Sequence, residues 1–208
     1  MAAANLAPTE PTKPQPFKAR GLPVLTTDQA EAYRRMDQSD TYLLHGRTGS
    51  GKTRIYLELA QAALSAGQSV IVLTPEISLT TQLESQFKGS FGDSVVVIHS
   101  TLTVKQRAKR WTSLLMAERP LIVIGPRSVI FSPLSNLGLI IVDEEHEPAY
   151  KQEQAPYYVT SRVASQLRTI HGAKLVLGSA TPLVSDYYLA ETRQKSIIRL
   201  AKLAQGDS

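Results

Sequence analysis

A short glycine-containing segment, His45 to Thr53, has the spacing needed to bind phosphate groups. Two glycines enclose four residues and are followed by a lysine and a threonine. The glycines let backbone N–H groups turn toward phosphate oxygens, the lysine reaches the β- and γ-phosphates, and the threonine hydroxyl binds Mg²⁺. This pattern predicts a site for a nucleoside triphosphate with Mg²⁺. The candidate ligands are Gly46, Arg47, Thr48, Gly49, Ser50, Gly51, Lys52 and Thr53.

A pair of carboxylates is the second candidate for chemistry. Asp143 and Glu144 directly follow the apolar run Leu139 to Val142, which is typical of a buried strand. In a chain with a phosphate-binding loop, an aspartate at a strand end is the expected Mg²⁺ partner, here opposite Thr53 and mostly through water. Glu144 would position or deprotonate the water that attacks the γ-phosphate. The alternative interpretation is a solvated acidic turn.

Short apolar runs alternate with helical patterns along the chain and must position these groups. We predict strands at residues 42–44, 69–73, 95–98, 121–124, 139–142, 174–177 and 197–200. We predict helices at residues 30–36, 54–66, 78–87, 159–170 and 183–192, and another that Thr103 caps. Thr27 is the predicted cap of the first helix. This alternation indicates an α/β fold with a parallel sheet, helices on both faces and three layers.

Every unusual polar cluster comes directly after a predicted strand. Besides the phosphate-binding loop, these clusters are Thr74 to Glu76, Gly125 to Ser128, Asp143 to His146 and Ser179 to Thr181. Parallel sheets bind ligands at the carboxyl ends of their strands. We therefore expect all of these clusters to crowd one edge of the sheet.

For some polar residues the sequence allows two interpretations. Gln29 lies at the start of the first helix, where it would either hydrogen-bond an adenine or be an ordinary exposed residue. The helix after Thr103 has a predicted apolar side formed by Val104, Ala108, Trp111 and Leu115. Its basic residues form either a solvated face or a contact for a polyanion. Residues 147–158 are polar and aromatic, and they predict a long loop.

Composition bounds the class of protein. The 208 residues are 42% hydrophobic and 20% charged, which is ordinary for a globular chain of one large domain or two small ones. The absence of cysteine excludes disulfides, cysteine-ligated zinc and cysteine nucleophiles, and it fits a reducing cytoplasm. The net charge of +5 fits a polyanionic partner or simply a basic domain. Neither a membrane span nor a signal peptide is indicated.

The proline distribution divides the chain into three parts. Residues 1–20 contain Pro8, Pro11, Pro14 and Pro16 with few large apolar side chains, which predicts a flexible tether. Residues 21–202 form the predicted nucleotide-binding domain. Residues 203–208 are predicted to be a frayed tail.

Asp143 to His146 spells D-E-E-H, which is a DExH box. Together with the phosphate-binding loop and Ser179 to Thr181, it resembles motifs I, II and III of superfamily 2 helicases and translocases. Further segments are similar to the PriA family of bacterial replication-restart helicases: Thr74 to Thr80, Ile98 to Ser100, Ile124 to Ser128, Tyr150 to Gln152 and Leu177 to Pro182. The resemblance covers about residues 22–200. It implies that residues 21–202 are the first RecA-like lobe of such a helicase, a P-loop NTPase fold.

The resemblance also implies an activity and a role for each site residue. The activity is an ATP-dependent, 3′-to-5′ DNA helicase acting in the restart of stalled replication forks, in the bacterial cytoplasm, with ATP and Mg²⁺ as cofactors and no zinc site in these residues. Lys52, Asp143 and Glu144 would be catalytic, with Thr53 and Asp143 as metal ligands and Gln29 contacting adenine. The residues that would couple the nucleotide state to DNA are His146, Ser179 and Thr181. The implied DNA contacts are Thr74, Pro75, Glu76, Thr80, Gly125, Arg127, Ser128, Tyr150, Lys151, Tyr157 and Tyr158.

The implied partners are single-stranded or forked DNA, a second RecA-like lobe, separate DNA-binding domains, and primosome and single-strand-binding proteins, without a membrane. Two alternatives remain at this point. One is a lobe of another superfamily 2 DNA translocase, RecG-like or restriction-type. The other is a non-catalytic module that binds nucleotide or DNA as a scaffold.

Three departures from the family pattern qualify the expected activity. Tyr157 to Arg162 reads Tyr-Tyr-Val-Thr-Ser-Arg where the family usually has Arg-Tyr-His-Ala-Arg-Asp, and Pro126 replaces the usual threonine. The family's second lobe, with its transition-state arginine, is not within these 208 residues. An arginine of this kind contributes orders of magnitude in rate. We therefore expect a fragment or excised domain that binds ATP·Mg²⁺ weakly, hydrolyses it slowly and does not unwind DNA alone.

Overall fold

The computed structural model describes residues 19–37, 39–75, 77–99, 101–182, 184, 187–188 and 196–200. The predicted tether, the predicted helix at 183–192 and the predicted tail lie wholly or largely outside these residues. Side chains are not described for residues 76–81. In the described part of the chain, no helix has both the length and the apolar character needed to cross a membrane.

Seven parallel strands form the central sheet and confirm the predicted α/β fold. They are β1 (Thr41–Gly46), β2 (Ser69–Leu73), β3 (Val95–Val97), β4 (Ile122–Gly125), β5 (Leu137–Val142), β8 (Lys174–Ser179) and β9 (Ser196–Leu200). Their order across the sheet is β3-β4-β2-β5-β8-β1-β9. Strands β2 and β5 are buried along their whole length, as continuous apolar runs require in a sheet covered on both faces.

Helices cover both faces of the sheet and give the three predicted layers. They are α1 (Thr27–Arg35), α2 (Lys52–Ser65), α3 (Ile77–Phe91), α4 (Val104–Leu115) and α5 (Thr160–His171). Successive strand residues point to opposite faces. Accordingly, Val70 and Val72 of β2 pack with α1, α2 and α3, whereas Ile71 and Leu73 pack with α4 and α5.

Two helices begin with reciprocal hydrogen bonds between a threonine and a glutamine. The Thr103 side chain accepts from the backbone of Gln106, as predicted for a cap of α4. For α1 the predicted cap, Thr27, is wrong by one residue. Thr26 is the cap because its hydroxyl accepts from the Gln29 backbone at 3.3 Å, while Gln29 Oε1 accepts from the Thr26 N–H at 3.0 Å.

The predicted apolar side of α4 is wrong. Val104 is 87% exposed and Leu115 is 64% exposed, whereas the buried residue of this helix is Leu114, which packs with part of Trp111. Residues three apart lie on one helix face, so Trp111 and Leu114 form the contact edge. The spacing of the predicted apolar residues indicated a stripe along α4, but it did not show which side of this helix faces the sheet.

The segment predicted to be a long loop has regular structure. A 3₁₀ turn, Pro148–Tyr150, leads into an antiparallel pair formed by β6 (Lys151–Gln152) and β7 (Tyr158–Val159). The hydroxyl of Thr160, at the start of α5, donates to the Tyr150 carbonyl at 2.7 Å. We refer to residues 148–159 as the hairpin.

Two glycines, one at the sheet edge and one in α3, give a matched test of packing. A Cβ on Gly125 would lie 2.3 Å from the Ile98 carbonyl oxygen and 2.6 Å from Val129 Cγ2. We expect Gly125→Ala to lower the free energy of unfolding by about 1–3 kcal/mol because backbone and core must shift. In Gly89→Ala a Cβ meets nothing within 4 Å in α3, so this control should gain about 0.5–1 kcal/mol. Thermal and urea unfolding measure both; equal changes in both variants would contradict the prediction.

Candidate functional site

The carboxyl ends of neighbouring strands bring the predicted polar clusters to one edge of the sheet. Strands β2, β5, β8 and β1 are adjacent in that order. The Asp143 N–H donates to the Leu73 carbonyl, and the Glu145 N–H donates to the Gly178 carbonyl, both at 2.9 Å. The parallel topology thus juxtaposes the D-E-E-H box with the phosphate-binding loop and the Ser179 cluster, as the sequence predicted.

The phosphate-binding loop is built around glycines in the left-handed region. Gly49 has φ 81° and Gly51 has φ 86°, and Gly51 precedes the first turn of α2 without any side-chain cap. The first two N–H groups of this helix, those of Lys52 and Thr53, therefore remain for an anion, whereas the Arg54 N–H donates to the Gly51 carbonyl. The buried Ser50 hydroxyl has no hydrogen-bond partner among the described residues. Such an arrangement of donors fits a phosphate group.

A cavity of about 550 Å³ opens beside this loop. Its lining combines loop residues, including Thr48, Lys52 and Thr53, with the carboxylates Asp143 and Glu144. A cavity of this volume lies within the range of small-ligand sites. Basic, hydroxyl and acidic groups therefore share one concave space.

Lys52 and Glu144 form the central ion pair of the site. Lys52 Nζ lies 3.1 Å from Glu144 Oε1 and donates to the Gly46 carbonyl at 2.8 Å, and its side chain is only 7% exposed. The other carboxylate oxygen, Glu144 Oε2, accepts from the Ala180 N–H at 3.2 Å. Glu144 has φ 47°, a conformation that costs a non-glycine residue free energy and is often found at functional sites. One side chain thus joins α2 to the residues after β8.

Asp143 lies deeper and has a partner that the sequence did not reveal. Its Oδ1 accepts from the Tyr56 hydroxyl at 2.9 Å. Burial, followed by the neighbouring charge of Glu144, raises the pKa of Asp143 to about 6, although Tyr56 and Lys52 act in the opposite direction. The sequence pattern assigned no role to Tyr56. A tyrosine flanked by core positions was the available signal, because a buried phenol needs a hydrogen-bond partner.

The three residues predicted to couple nucleotide and DNA lie together. His146 Nδ1 is 2.7 Å from Ser179 Oγ, and the same oxygen accepts from the Thr181 N–H at 3.1 Å. His146 Nδ1 is also 3.6 Å from Glu144 Oε2. Thr181 contributes its backbone, and its side chain is exposed. Their role in coupling stays a prediction.

Three of the predicted DNA contacts are buried, and their role in binding DNA stays a prediction. Thr74 is 1% exposed, and its N–H donates to the carbonyl of Gly125, which is itself buried. Tyr150 is 4% exposed, and its hydroxyl donates to the Asp143 carbonyl at 2.6 Å. These residues are enclosed because they tie the strand ends to one another.

The exposed part of the predicted DNA surface is concentrated on the hairpin. Tyr157 is 77% exposed, and Lys151 is also exposed and lies 3.6 Å from Glu153. Tyr158 is half-buried edge-on against Phe131, with ring centroids 5.2 Å apart. Arg127 supports the hairpin from below, since its Nη1 donates to the carbonyls of Ala149 at 2.7 Å and Lys151 at 3.1 Å.

The remaining predicted site residues are half-buried, buried or outside the described part of the chain. Pro75 and Ser128 are half-buried at the same edge, whereas Glu76 and the Thr80 side chain lie outside the described part of the chain. Gln29 is 3% exposed, so its interpretation as an exposed helix residue is wrong. Its contact with adenine stays a prediction.

Comparison with known proteins identifies the family to which the chain belongs. The model of the DEAD/DEAH box helicase family matches residues 26–188. The structure of RecG bound to a three-way DNA junction has a TM-score of 0.63 and 21% sequence identity, covering 89% of this chain and 25% of that chain. At this identity the similarity shows the fold, that of a RecA-like helicase lobe.

Curated relatives are more similar in sequence. Replication restart protein PriA of Bacillus subtilis (strain 168) is 42% identical over 200 residues, which are 93% of this chain and 24% of that protein. Replication restart protein PriA of Chlamydia muridarum is 44% identical over 191 residues, 88% of this chain and 25% of that protein. The chain spans about a quarter of the length of these relatives. It belongs to the DEAD/DEAH box helicase family, and within that family it is of the PriA type.

Proposed function

We propose that the chain is the ATP-binding lobe of a 3′-to-5′ DNA helicase that acts in the restart of stalled replication forks, in the bacterial cytoplasm. The observation that carries the proposal is the Lys52–Glu144 pair across a cavity lined by the phosphate-binding loop. Its similarity to replication restart proteins supports the role in replication restart.

The phosphate-binding loop would hold the triphosphate of ATP. Its backbone N–H groups and the start of α2 supply donors. Lys52 would exchange the carboxylate of Glu144 for a phosphate oxygen, because both are anions within reach of the same ammonium group. This exchange leaves the Gly46 carbonyl as the second partner of Lys52.

The residues present fit Mg²⁺ bound together with a phosphate. Among the residues that the structure describes, no three His, Asp or Glu side chains cluster to hold a metal by themselves. Mg²⁺ commonly uses one or two protein ligands, with phosphate oxygens and water completing its shell. Thr53 and Asp143 both line the cavity and would be those ligands. Their chemistry suits a Mg²⁺ ion that would neutralise charge on the triphosphate.

Glu144 would move the proton of the attacking water. Once Lys52 turns to phosphate, Oε1 becomes free to accept from water, while Oε2 stays on the Ala180 N–H. A change at the γ-phosphate would therefore reach Ala180 and, through Ser179, His146. This path would give His146 and Ser179 their predicted role in coupling.

The hairpin would contact single-stranded DNA. Tyr157 offers an exposed ring for stacking and Lys151 offers a charge for phosphate, and neither contact requires a particular base sequence. Forked DNA, a second RecA-like lobe, primosome proteins and a single-strand-binding protein are the proposed partners. Since the arginine that completes catalysis belongs to a second lobe in the family it resembles, we expect slow hydrolysis by these 208 residues alone.

Replacement of the central lysine tests the proposed function. We expect Lys52→Ala to weaken binding of a fluorescent ATP analogue with Mg²⁺ by about 10- to 100-fold, the cost of one charged hydrogen bond to phosphate. Fluorescence anisotropy measures this, with circular dichroism as a check of the fold. Lys88→Ala, at an exposed lysine paired with Glu84, is the control of equal charge change. Unchanged binding in Lys52→Ala would contradict the proposal.

Replacement of Tyr157 tests the hairpin as a DNA contact. We expect Tyr157→Ala to weaken binding of labelled single-stranded DNA by about 1–3 kcal/mol, the usual effect of losing one base–aromatic stack. Tyr188→Ala removes another exposed tyrosine outside the hairpin and should leave the affinity unchanged. The assignment of the hairpin is wrong if the two variants lose affinity equally.

The raised pKa of Asp143 predicts a pH-dependent cost in stability. The folded chain holds this proton with a pKa of about 6, against 3.8 for the ordinary group, so stability falls as the pH rises between these values. Above pH 6 the full cost is present. Asp143→Asn removes it and keeps an oxygen for Tyr56, so we expect a gain of roughly 1–3 kcal/mol at pH 7.5 and almost none near pH 4.

Urea unfolding at both pH values measures the effect of Asp143→Asn. Asp93→Asn, at an exposed aspartate in the turn before β3, is the control and should show no such difference. A loss of stability at pH 7.5 in Asp143→Asn would contradict the expected cost of this buried charge.

A further inference from the structure

Tyr56 contacts the proposed metal ligand from the hydrophobic core. Asp143 lines the cavity, whereas Tyr56 is completely buried in the core between α2 and the sheet. Its hydroxyl donates to Asp143 Oδ1 at 2.9 Å. The phenol therefore touches the carboxylate without a position in the cavity lining.

Gly178 provides the space that this contact needs. A Cβ at position 178 would lie 1.7 Å from the Tyr56 hydroxyl oxygen and 3.3 Å from Asp143 Oδ1. Gly178 lies within β8 and pairs in register with Leu44 of β1, and its backbone is not among those in the left-handed region. The absence of a side chain there is thus required by the phenol and not by the backbone conformation.

The Glu144 backbone N–H also bonds the carboxylate of Asp143, whereas the other hydrogen bonds of Asp143 do not reach its side chain. Its N–H donates to the Leu73 carbonyl and its carbonyl accepts from the Tyr150 hydroxyl, and both bonds hold the backbone. The Tyr56 hydroxyl is the side-chain partner found for Oδ1 in the described part of the chain.

We propose that Tyr56 is a positioning residue for the metal-binding carboxylate of Asp143, an inference that rests on the proposed function. By holding Oδ1, the phenol would restrict the rotation of the carboxylate that would bind Mg²⁺. Groups that hydrogen-bond a metal ligand commonly change metal affinity by 10- to 100-fold when removed. Gly178 makes this arrangement possible.

The position of Tyr56 in α2 ties the carboxylate to the phosphate-binding loop. Lys52 and Tyr56 are four residues apart, about one turn of the helix that begins at Lys52. The lysine that would bind phosphate and the phenol that holds the metal ligand thus belong to one rigid turn. Their relative placement is fixed by the helix and not by a loop.

The test is a Mg²⁺ titration of nucleotide binding, which needs no turnover. A fluorescent ATP analogue is bound first in EDTA and then at increasing Mg²⁺, with the whole chain in each case. We expect Tyr56→Phe to leave binding in EDTA unchanged and to raise the Mg²⁺ concentration at half-saturation by about tenfold. The ring is retained, so the core stays filled. Gly178→Ala, which displaces the hydroxyl, should give the same shift.

The matched control is Tyr42→Phe. Tyr42 is also fully buried and its hydroxyl donates to the Met36 carbonyl, away from the cavity. This variant should lose stability and keep the wild-type Mg²⁺ titration. An unchanged half-saturation in Tyr56→Phe, beside a Mg²⁺-dependent wild type, overturns the positioning role alone. A wild type whose nucleotide binding is indifferent to Mg²⁺ overturns the proposed function and the positioning role together.

Discussion

The partial burial of a carboxylate pair at the end of β5 is the constraint on which the site depends. Charged groups with the same sign are costly in a nonpolar environment, and the raised pKa of Asp143 expresses that cost. Three neighbouring features each lower this electrostatic cost in a different way. Lys52 supplies an opposite charge to Glu144, Tyr56 supplies a hydrogen bond to Asp143, and Gly178 supplies the space for that phenol. A carboxylate pair of this kind is best stabilised when a cation joins it.

The two carboxylate oxygens of Glu144 contact different elements of the fold. Oε1 contacts Lys52 at the start of α2, and Oε2 accepts from Ala180 after β8. Its φ of 47° holds the side chain in this bridging position. A carboxylate shared in this way cannot change partners on one side without altering the other. The strained backbone and the ion pair are therefore parts of one arrangement.

The sequence predicted the sheet well because buried parallel strands are continuous apolar runs, and it predicted the ligand edge because topology fixes where strand ends meet. It failed where the answer depends on neighbours in three dimensions. Either of two adjacent threonines could have capped α1, and only backbone geometry selects Thr26. The orientation of α4 and the burial of Thr74 have the same origin. Tyr56 was missed because its partner lies 87 residues away.

The burial of Tyr150 changes how the hairpin relates to the nucleotide site. Its hydroxyl bonds the backbone of Asp143, its carbonyl accepts from Thr160, and Arg127 bonds the carbonyls on either side of it. The exposed hairpin and the backbone of Asp143 are therefore joined by short, directional bonds. Within the proposed function, a DNA strand on the exposed hairpin would not need to touch Tyr150 to affect the site. Any shift of the hairpin moves the residue that holds Asp143 in place.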